Sequence, residues 1–203
     1  MTSHTEDFAA IGLKVKTGRA FAVILVGASK LPQLQQRREL TLTDPQVTET
    51  FQPPQEVMEL PWSESEKKVR PFVRAIEKVA ASALAELIHE LRAQGFKTAG
   101  VGICGSADRD LSRIGNFHIR AHAAEGRLFR RVLEFAATSN NVVCRTFVEK
   151  TLLADAAAEI GCTIAQFNKY LKMIVQPAGP PWRTDQRLAC AAAWVTLTSS
   201  TQF

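Results

Sequence analysis

The stretch IGLKVKTGRAFAVIL, residues 11–25, decides the fold that this sequence predicts. Apolar and small residues fill both halves of it, and the turn sequence KTG separates them, which predicts strands at 10–16 and 19–27 joined as a β-hairpin. Residues 33–43 then alternate between apolar and polar side chains, as expected for a strand near a sheet edge with one solvated face. The chain therefore begins with three antiparallel strands.

A proline-rich connection follows these strands. Residues 43–62 contain four prolines and little periodicity, which predicts an extended segment rather than a helix or strand. The apolar stripe after this segment has helical spacing and predicts a long helix that ends at Gly95. Ser63 with Glu66 offers a capping box at the start of this helix, whereas Pro71, which is tolerated in a first turn, favours a start near Val69.

The remaining sequence alternates between strands and helices. It predicts a buried strand at 96–106, a helix at 117–137, a strand at 141–148 and a helical C-terminal part at 150–203. Right-handed crossovers from this order give an α/β fold with a mixed five-stranded sheet, three antiparallel strands and then alternating helices and strands. We expect one domain over residues 1–203, flanked by helices, because this length suits a single core.

Two short motifs near the ends of the chain carry a family resemblance. The first is IGLKVKTGRAFAVIL at 11–25, and the second is RTDQRLACAAAWVTL at 183–197, a helix that starts with an acid before an alanine-rich face. Together with the element order, they resemble the ribonuclease H-like superfamily, and the end segments are most similar to its Holliday-junction resolvase branch. The resemblance implies an RNase H-like fold over most of the chain.

Lys14 breaks this resemblance at the position that matters most for the family's chemistry. In that branch the first strand carries glycine, an apolar residue and then aspartate, and Lys14 stands in the place of the aspartate. Nucleases of the superfamily hold two divalent metals about 4 Å apart between carboxylates from the first strand, the fourth strand and the last helix. A lysine adds positive charge there, which predicts that the standard metal site does not assemble.

The resemblance still implies three candidate catalytic acids, with Mg²⁺ or Mn²⁺ as the metal ions. Asp108 and Asp110 follow the predicted fourth strand, and Asp185 lies at the start of the last helix. Strand alternation offers a second interpretation, in which a shift of one residue turns Lys14 and Lys16 to solvent together with Gly12. Under either interpretation the first strand has no acid.

The predicted helix at 117–137 carries a further group of candidate site residues. At about 100° per residue, His118, His122 and Glu125 lie along one border of its buried stripe. Two histidines at i and i+4 with a carboxylate one turn on are suited to binding a transition metal or to acid/base chemistry. Ordinary ion pairs and hydrogen bonds on a helix surface are the alternative explanation.

The opposite border of the same helix is rich in arginine. Arg120, Arg127 and Arg131 lie there, and their planar guanidinium groups suit phosphate recognition. Together with Lys14 they are the candidate nucleic-acid-binding residues. A net charge of +5 favours the same partner through counterion release, although a solvated helix face explains these charges without any ligand.

Composition excludes several other classes of protein. A hydrophobic fraction of 46% and a charged fraction of 22% are typical of globular proteins and rule out a disordered chain. The apolar runs are too short to cross a bilayer and the N-terminus lacks a signal-peptide pattern, so we expect a cytoplasmic protein without a membrane partner. The four cysteines have no CxxC spacing, which argues against a zinc site.

Three functional hypotheses follow. In the first, the chain is an RNase H-like pseudoenzyme, a binding or scaffold domain without the standard two-metal nuclease activity and with affinity for nucleic acid. In the second, it is a metal-dependent phosphodiester hydrolase whose non-standard site joins the His118, His122 and Glu125 group to the three acids in one cleft. In the third, it is a structural homo-oligomer in which residues 43–62 and an exposed Trp62 pack on a neighbouring subunit.

Overall fold

The computed structural model describes residues 7–27, 30–180 and 182–200. Its sheet contains the strands β1 Asp7–Lys16, β2 Arg19–Val26, β3 Gln33–Thr41, β4 Phe96–Gly105 and β5 Cys144–Val148. The strand order is β3-β2-β1-β4-β5, with β1, β2 and β3 antiparallel and with β4 and β5 parallel to β1. The sheet therefore confirms the predicted α/β class and the mixed five-stranded arrangement.

Helices cover both faces of this sheet. They are α1 Trp62–Ala93, α2 Phe117–Ser139, α3 Leu152–Ile160, α4 Ile164–Val175 and α5 Thr184–Ser200. The apolar residues of α1 and α2 form one core with one face, and those of α3, α4 and α5 form a second core with the other. Within the described ranges, no helix has both the length and the apolar character that a bilayer-spanning helix requires.

The long helix α1 begins earlier than its sequence predicts. The predicted start near Val69 is wrong, because α1 begins at Trp62 and keeps Pro71 in its interior. An internal proline lacks an N–H group and crowds the preceding turn, so packing must compensate for a cost of about 3 kcal/mol. The buried Ser65 hydroxyl contacts three carbonyls at or just before the helix start and fixes this first turn. The helix ends as predicted before Gly95, whose φ is +88°.

Helix α5 lies directly against the centre of the sheet, where glycines remove every side chain that would block it. A Cβ atom at Gly12 would lie 1.8 Å from the carbonyl oxygen of Ala189, and one at Gly102 would lie 2.5 Å from that of Ala192. Only glycine allows backbones to approach so closely. The alanine-rich sequence of α5 matches this contact, since residues 188–197 are all buried.

The register of β1 fixes the direction of Lys14. Lys14 lies opposite Phe21 on β2 and beside Cys104 on β4. It shares the α5 face of the sheet with Gly12. Ile11, Leu13 and Val15 face the other way, into the core under α1 and α2. Lys14 is only 3% exposed. The interpretation that turned Lys14 to solvent is therefore wrong, because the apolar alternation of β1 faces the opposite core.

The proline-rich segment 43–62 packs on its own chain. The Arg120 guanidinium donates hydrogen bonds of 2.9 Å to the carbonyl oxygens of both Met58 and Leu60. Trp62, at the start of α1, is half-buried rather than exposed as the homo-oligomer hypothesis expects. The segment thus makes its described contacts with α1 and α2 of the same molecule.

Candidate functional site

Four side chains meet where β1, β4 and β5 reach their carboxyl ends. Lys14 comes from β1, Cys104 from β4, Glu149 directly follows β5, and Asp185 lies in the first turn of α5. The charges of the other three act on the Cys104 thiol, which places all four in one electrostatic neighbourhood. The carboxyl ends of parallel strands are where α/β folds usually carry their sites. We call these residues the Lys14 cluster.

An ion pair dominates the Lys14 cluster. The ammonium Nζ of Lys14 lies 2.9 Å from Oε2 of Glu149 and 3.1 Å from the carbonyl oxygen of Val15. The lysine side chain is 4% exposed, whereas that of Glu149 is 43% exposed. The buried Lys14 ammonium therefore donates hydrogen bonds to the Val15 carbonyl oxygen and to the Glu149 carboxylate, and this carboxylate remains partly exposed to solvent.

Cys104 contributes a neutral thiol to the cluster. Burial raises the pKa of this thiol to about 12, which the nearby Lys14 ammonium opposes and the carboxylates of Glu149 and Asp185 reinforce. The thiolate is the form of cysteine that binds metals and attacks electrophiles. At neutral pH the Cys104 side chain is therefore a protonated, uncharged thiol.

These residues do not fit the two-metal centre that the resemblance implies. Glu149 is paired with Lys14, and Oδ1 of Asp185 lies 3.2 Å from Nζ of Lys16. Over the described parts of the chain, no three His, Cys, Asp or Glu side chains are grouped so that they could hold a metal ion. A two-metal centre needs converging carboxylates, whereas each carboxylate here already has a lysine as its counter-ion.

The predicted fourth-strand acids make local contacts on the surface. Asp108 lies 2.7 Å from Nη2 of Arg130, an arginine of α2. Oδ1 of Asp110 accepts a hydrogen bond from the backbone N–H of Ser112 and caps a short 3₁₀ turn, while its Oδ2 lies 3.3 Å from Arg113. Both acids are exposed, and both order the loop between β4 and α2.

Only two of the three predicted site residues on the His/Glu border of α2 meet. Glu125 is 2% exposed, and its Oε2 accepts a hydrogen bond from Thr17 and lies 3.7 Å from Nδ1 of His122. Its Oε1 has no hydrogen-bond partner among the described residues. Burial raises the pKa of Glu125, although a hydrogen bond from Gln55, the charge of His122 and the hydrogen bond from Thr17 oppose the shift. His118 is exposed, and the three do not form a metal-binding group.

The predicted phosphate-binding residues lie in different surroundings. Arg120 is 9% exposed and stacks over the Phe117 ring at 5.0 Å while it binds the proline-rich segment. The prediction is corrected for Arg120 and for Lys14, because both cations are buried against partners within the chain. Arg127 is partly exposed and lies 3.9 Å from Asp108, and Arg131 is exposed.

A groove of about 620 Å³ opens beside the Lys14 cluster, between the ends of β4 and β5 and the first half of α2. We call it the carboxyl-edge groove. Arg109, Arg127 and Lys150 line it, together with His122 and Glu149. Because Lys14 neutralises Glu149, the charge along this groove is positive. Among the described residues, Arg109 and Lys150 have no hydrogen-bond or ion-pair partner.

Sequence reasoning missed two members of the Lys14 cluster. Glu149 could have been found, since it directly follows a predicted strand whose carboxyl end belongs at the site edge of a parallel sheet. Cys104 could not, because its position beside Lys14 depends on the register between β1 and β4. That register depends on how β1 and β4 pair after the chain has passed through α1, and the sequence of either strand alone does not determine it.

Comparison with known proteins supports the fold. No family model and no curated protein matches this sequence. Among solved structures, RuvC of Thermus thermophilus superposes with a TM-score of 0.56 at 10% identity, covering 96% of this chain and 97% of that one. T. thermophilus RuvC in complex with a Holliday junction substrate gives 0.53 at 12% identity, with coverages of 93% and 91%. This protein has an RNase H-like α/β fold similar to that of RuvC.

Proposed function

We propose that this protein is a nucleic-acid-binding domain that does not carry out two-metal phosphodiester hydrolysis. The observation that carries the proposal is the Lys14–Glu149 ion pair at the carboxyl end of β1. The fold and the groove support the binding role, and the ion pair supports the loss of hydrolysis. The two parts are tested separately below.

The electrostatics of Lys14 oppose a divalent metal at this edge. A cation about 4 Å from the ammonium would be repelled by on the order of 4 kcal/mol per positive charge at a protein-like dielectric constant. Glu149 offers little compensation, because the buried ammonium already holds it at 2.9 Å. The Lys14 ammonium thus supplies the positive charge that a bound metal ion would otherwise supply to Glu149.

The carboxyl-edge groove favours a polyanionic partner. Arg109, Arg127 and Lys150 place three cations along one opening, and guanidinium groups are well suited to phosphate oxygens. One solved structure with a similar fold contains a Holliday junction substrate, so branched DNA is the first ligand to test. Contacts to phosphates alone would give affinity with little sequence specificity.

Fluorescence anisotropy tests the binding role. We expect a labelled four-way DNA junction to bind in EDTA, with log affinity falling against log salt at a slope of about −3 for three phosphate contacts. Substituting Arg109, Arg127 and Lys150 together by alanine should weaken binding and reduce the slope towards zero. Labelled duplex and single-stranded DNA of equal length show whether the branch itself is recognised.

A matched triple variant controls for net charge. Lys68→Ala, Arg74→Ala and Arg92→Ala together remove the same charge from exposed positions of α1 that do not line the carboxyl-edge groove. This control should retain most of the affinity. Equal losses in both triple variants, or no binding of any DNA by the parent protein, would overturn the binding role.

Lys14→Asp tests the absence of the metal site. The substitution replaces the ammonium by a carboxylate beside Glu149 and near Asp185, which creates the oxygen-rich set that Mn²⁺ and Mg²⁺ prefer. We expect Mn²⁺ to raise the thermal unfolding temperature of this variant and to leave that of the parent unchanged. Lys68→Asp serves as the charge-matched control. Tight Mn²⁺ binding or DNA cleavage by the parent protein would refute this part of the proposal.

A further inference from the structure

A second cleft, separate from the carboxyl-edge groove, lies between α1 and α2. It has a volume of about 400 Å³, and the first half of α1, the middle of α2 and part of the proline-rich segment enclose it. Pockets of about 300–1,000 Å³ are typical of small-molecule sites. We call it the α1–α2 cleft.

The interior of the α1–α2 cleft is apolar and only partly covered. Val69 and Val73 of α1 face Leu128 of α2, and all three are half-buried. Among the apolar residues of α1, the fully buried ones begin only at Ile76, so the first half of the helix projects beyond the core. The described chain therefore leaves an aliphatic surface that a ligand could cover, with a gain roughly proportional to the apolar area removed from water.

The wall that α2 contributes to this cleft is positively charged. Arg127 and Arg131 both line it and lie one helical turn apart, where like charges repel each other. Asp108 lies 3.9 Å from Arg127, and Arg131 has no partner among the described residues. The two glutamates that line the cleft, Glu66 and Glu77, both belong to the opposite wall, on α1. An anion beside the two arginines would relieve their repulsion.

We propose that the α1–α2 cleft binds a small acyl carboxylate. Its carboxylate lies between Arg127 and Arg131, where guanidinium groups offer paired hydrogen bonds, and its aliphatic chain covers Val69, Val73 and Leu128. The aliphatic lining selects an acyl chain, and the arginines select a negative head group. The proposal does not rest on nucleic acid binding in the carboxyl-edge groove, and Arg127 is the one charged residue that lines both sites.

Isothermal titration calorimetry with decanoate, below its micellar concentration, tests the proposal. We expect one decanoate per chain, with decan-1-ol and decyltrimethylammonium binding at least about tenfold more weakly because they lack the anion. Arg131→Gln should weaken decanoate binding by about tenfold and leave DNA binding in the groove intact. Arg74→Gln, an exposed arginine of α1 outside the cleft, is the matched control.

A cleft-filling pair of variants tests the apolar part. Val73→Trp should abolish decanoate binding because the indole occupies the cleft. If Val73→Trp does not fold, the smaller substitution Val73→Met takes its place and should weaken decanoate binding. Equal affinity for the three head groups, several decanoate molecules per chain, or equal effects of Arg131→Gln and Arg74→Gln would overturn the proposal. Loss of DNA binding by an Arg109→Ala, Lys150→Ala double variant, whose positions do not line the cleft, with decanoate binding retained would separate the two sites.

Discussion

Gly12 and Lys14 lie two residues apart on the same face of β1, yet they meet different surroundings. Gly12 meets the backbone of α5 so closely that a Cβ atom would lie 1.8 Å from the Ala189 carbonyl oxygen. Lys14 meets a carboxylate that lies 135 positions later in the sequence, with 2.9 Å between Nζ and the Glu149 carboxylate. The strand therefore combines a packing half, where only glycine fits, with a polar half, where a buried ammonium pairs with a carboxylate.

This difference separates the packing that holds the fold together from the charges at the edge of the sheet. The contact between β1 and α5 depends on the absence of side chains, so its geometry does not depend on the charge at the end of the strand. The Lys14 cluster lies at the sheet edge, where Glu149 can reach water as well as the ammonium.

The largest effect that this comparison predicts is that of Gly12→Ala. The added methyl group would overlap the backbone of α5, which cannot move without separating the helix from the sheet. We expect a loss of about 3 kcal/mol or more in the free energy of unfolding, measured by urea denaturation. Gly115→Ala is the control, since nothing lies within 4 Å of a Cβ there. Equal stability of the two variants would show that α5 is not in backbone contact with β1.

The polar half of the strand predicts a smaller and asymmetric effect. Glu149→Gln leaves the Lys14 ammonium buried without its counter-charge, whereas Lys14→Met leaves a carboxylate that is 43% exposed and remains solvated. We expect Glu149→Gln to cost about 2 kcal/mol, Lys14→Met to cost less, and the double variant to recover part of the loss. Thermal and urea unfolding of the four proteins measures this coupling.

The neighbouring ion pair provides a control for this double-mutant cycle. Lys16 and Asp185 lie 3.2 Å apart at the same edge, but the Lys16 side chain is 42% exposed. Exposed pairs contribute less than about 1 kcal/mol, so Asp185→Asn should change stability little. If Asp185→Asn cost as much as Glu149→Gln, burial of the ammonium would not be the cause of the asymmetry.

The sequence predicted the sheet well because local patterns determine it. Strand alternation and the glycine turn at 16–18 specify the hairpin, and the acid followed by alanines at the start of α5 indicates a helix that packs closely. Helical periodicity also identified the middle of the buried stripe of α2. The same periodicity predicts Phe117 and Phe135 at the two ends of this buried stripe, but their side chains are 49% and 44% exposed.

The candidate site was less predictable because its contacts are distant in sequence. Lys14 and Glu149 are separated by 135 positions, and only the three-dimensional sheet brings them together. Arg120 was expected to face a ligand, yet the proline-rich segment folds over it and accepts its hydrogen bonds. Residues on the border of a helix can face solvent or a covering loop, and periodicity alone does not distinguish the two.

A pH-dependent effect contrasts Lys14, a buried base with a counter-charge, with Glu125, a buried acid on the opposite side of the sheet. Burial raises the pKa of Glu125, so the folded state binds its proton more tightly than the unfolded state does. Its contribution to the free energy of unfolding is therefore present at low pH and is lost as the pH rises through the raised pKa.

Glu125→Gln removes this titration and keeps the side-chain shape. The stability of the variant relative to the parent should therefore increase between pH 4 and pH 8, reaching about 1 kcal/mol, because one carboxylate oxygen of Glu125 is buried without a partner. Urea denaturation at each pH measures this difference, and the same pair of proteins in a His122→Gln background serves as the control for the neighbouring side chain. A difference that stays constant with pH would mean that Glu125 is as well stabilised in its charged form as it is in water, and the contrast with Lys14 would then disappear.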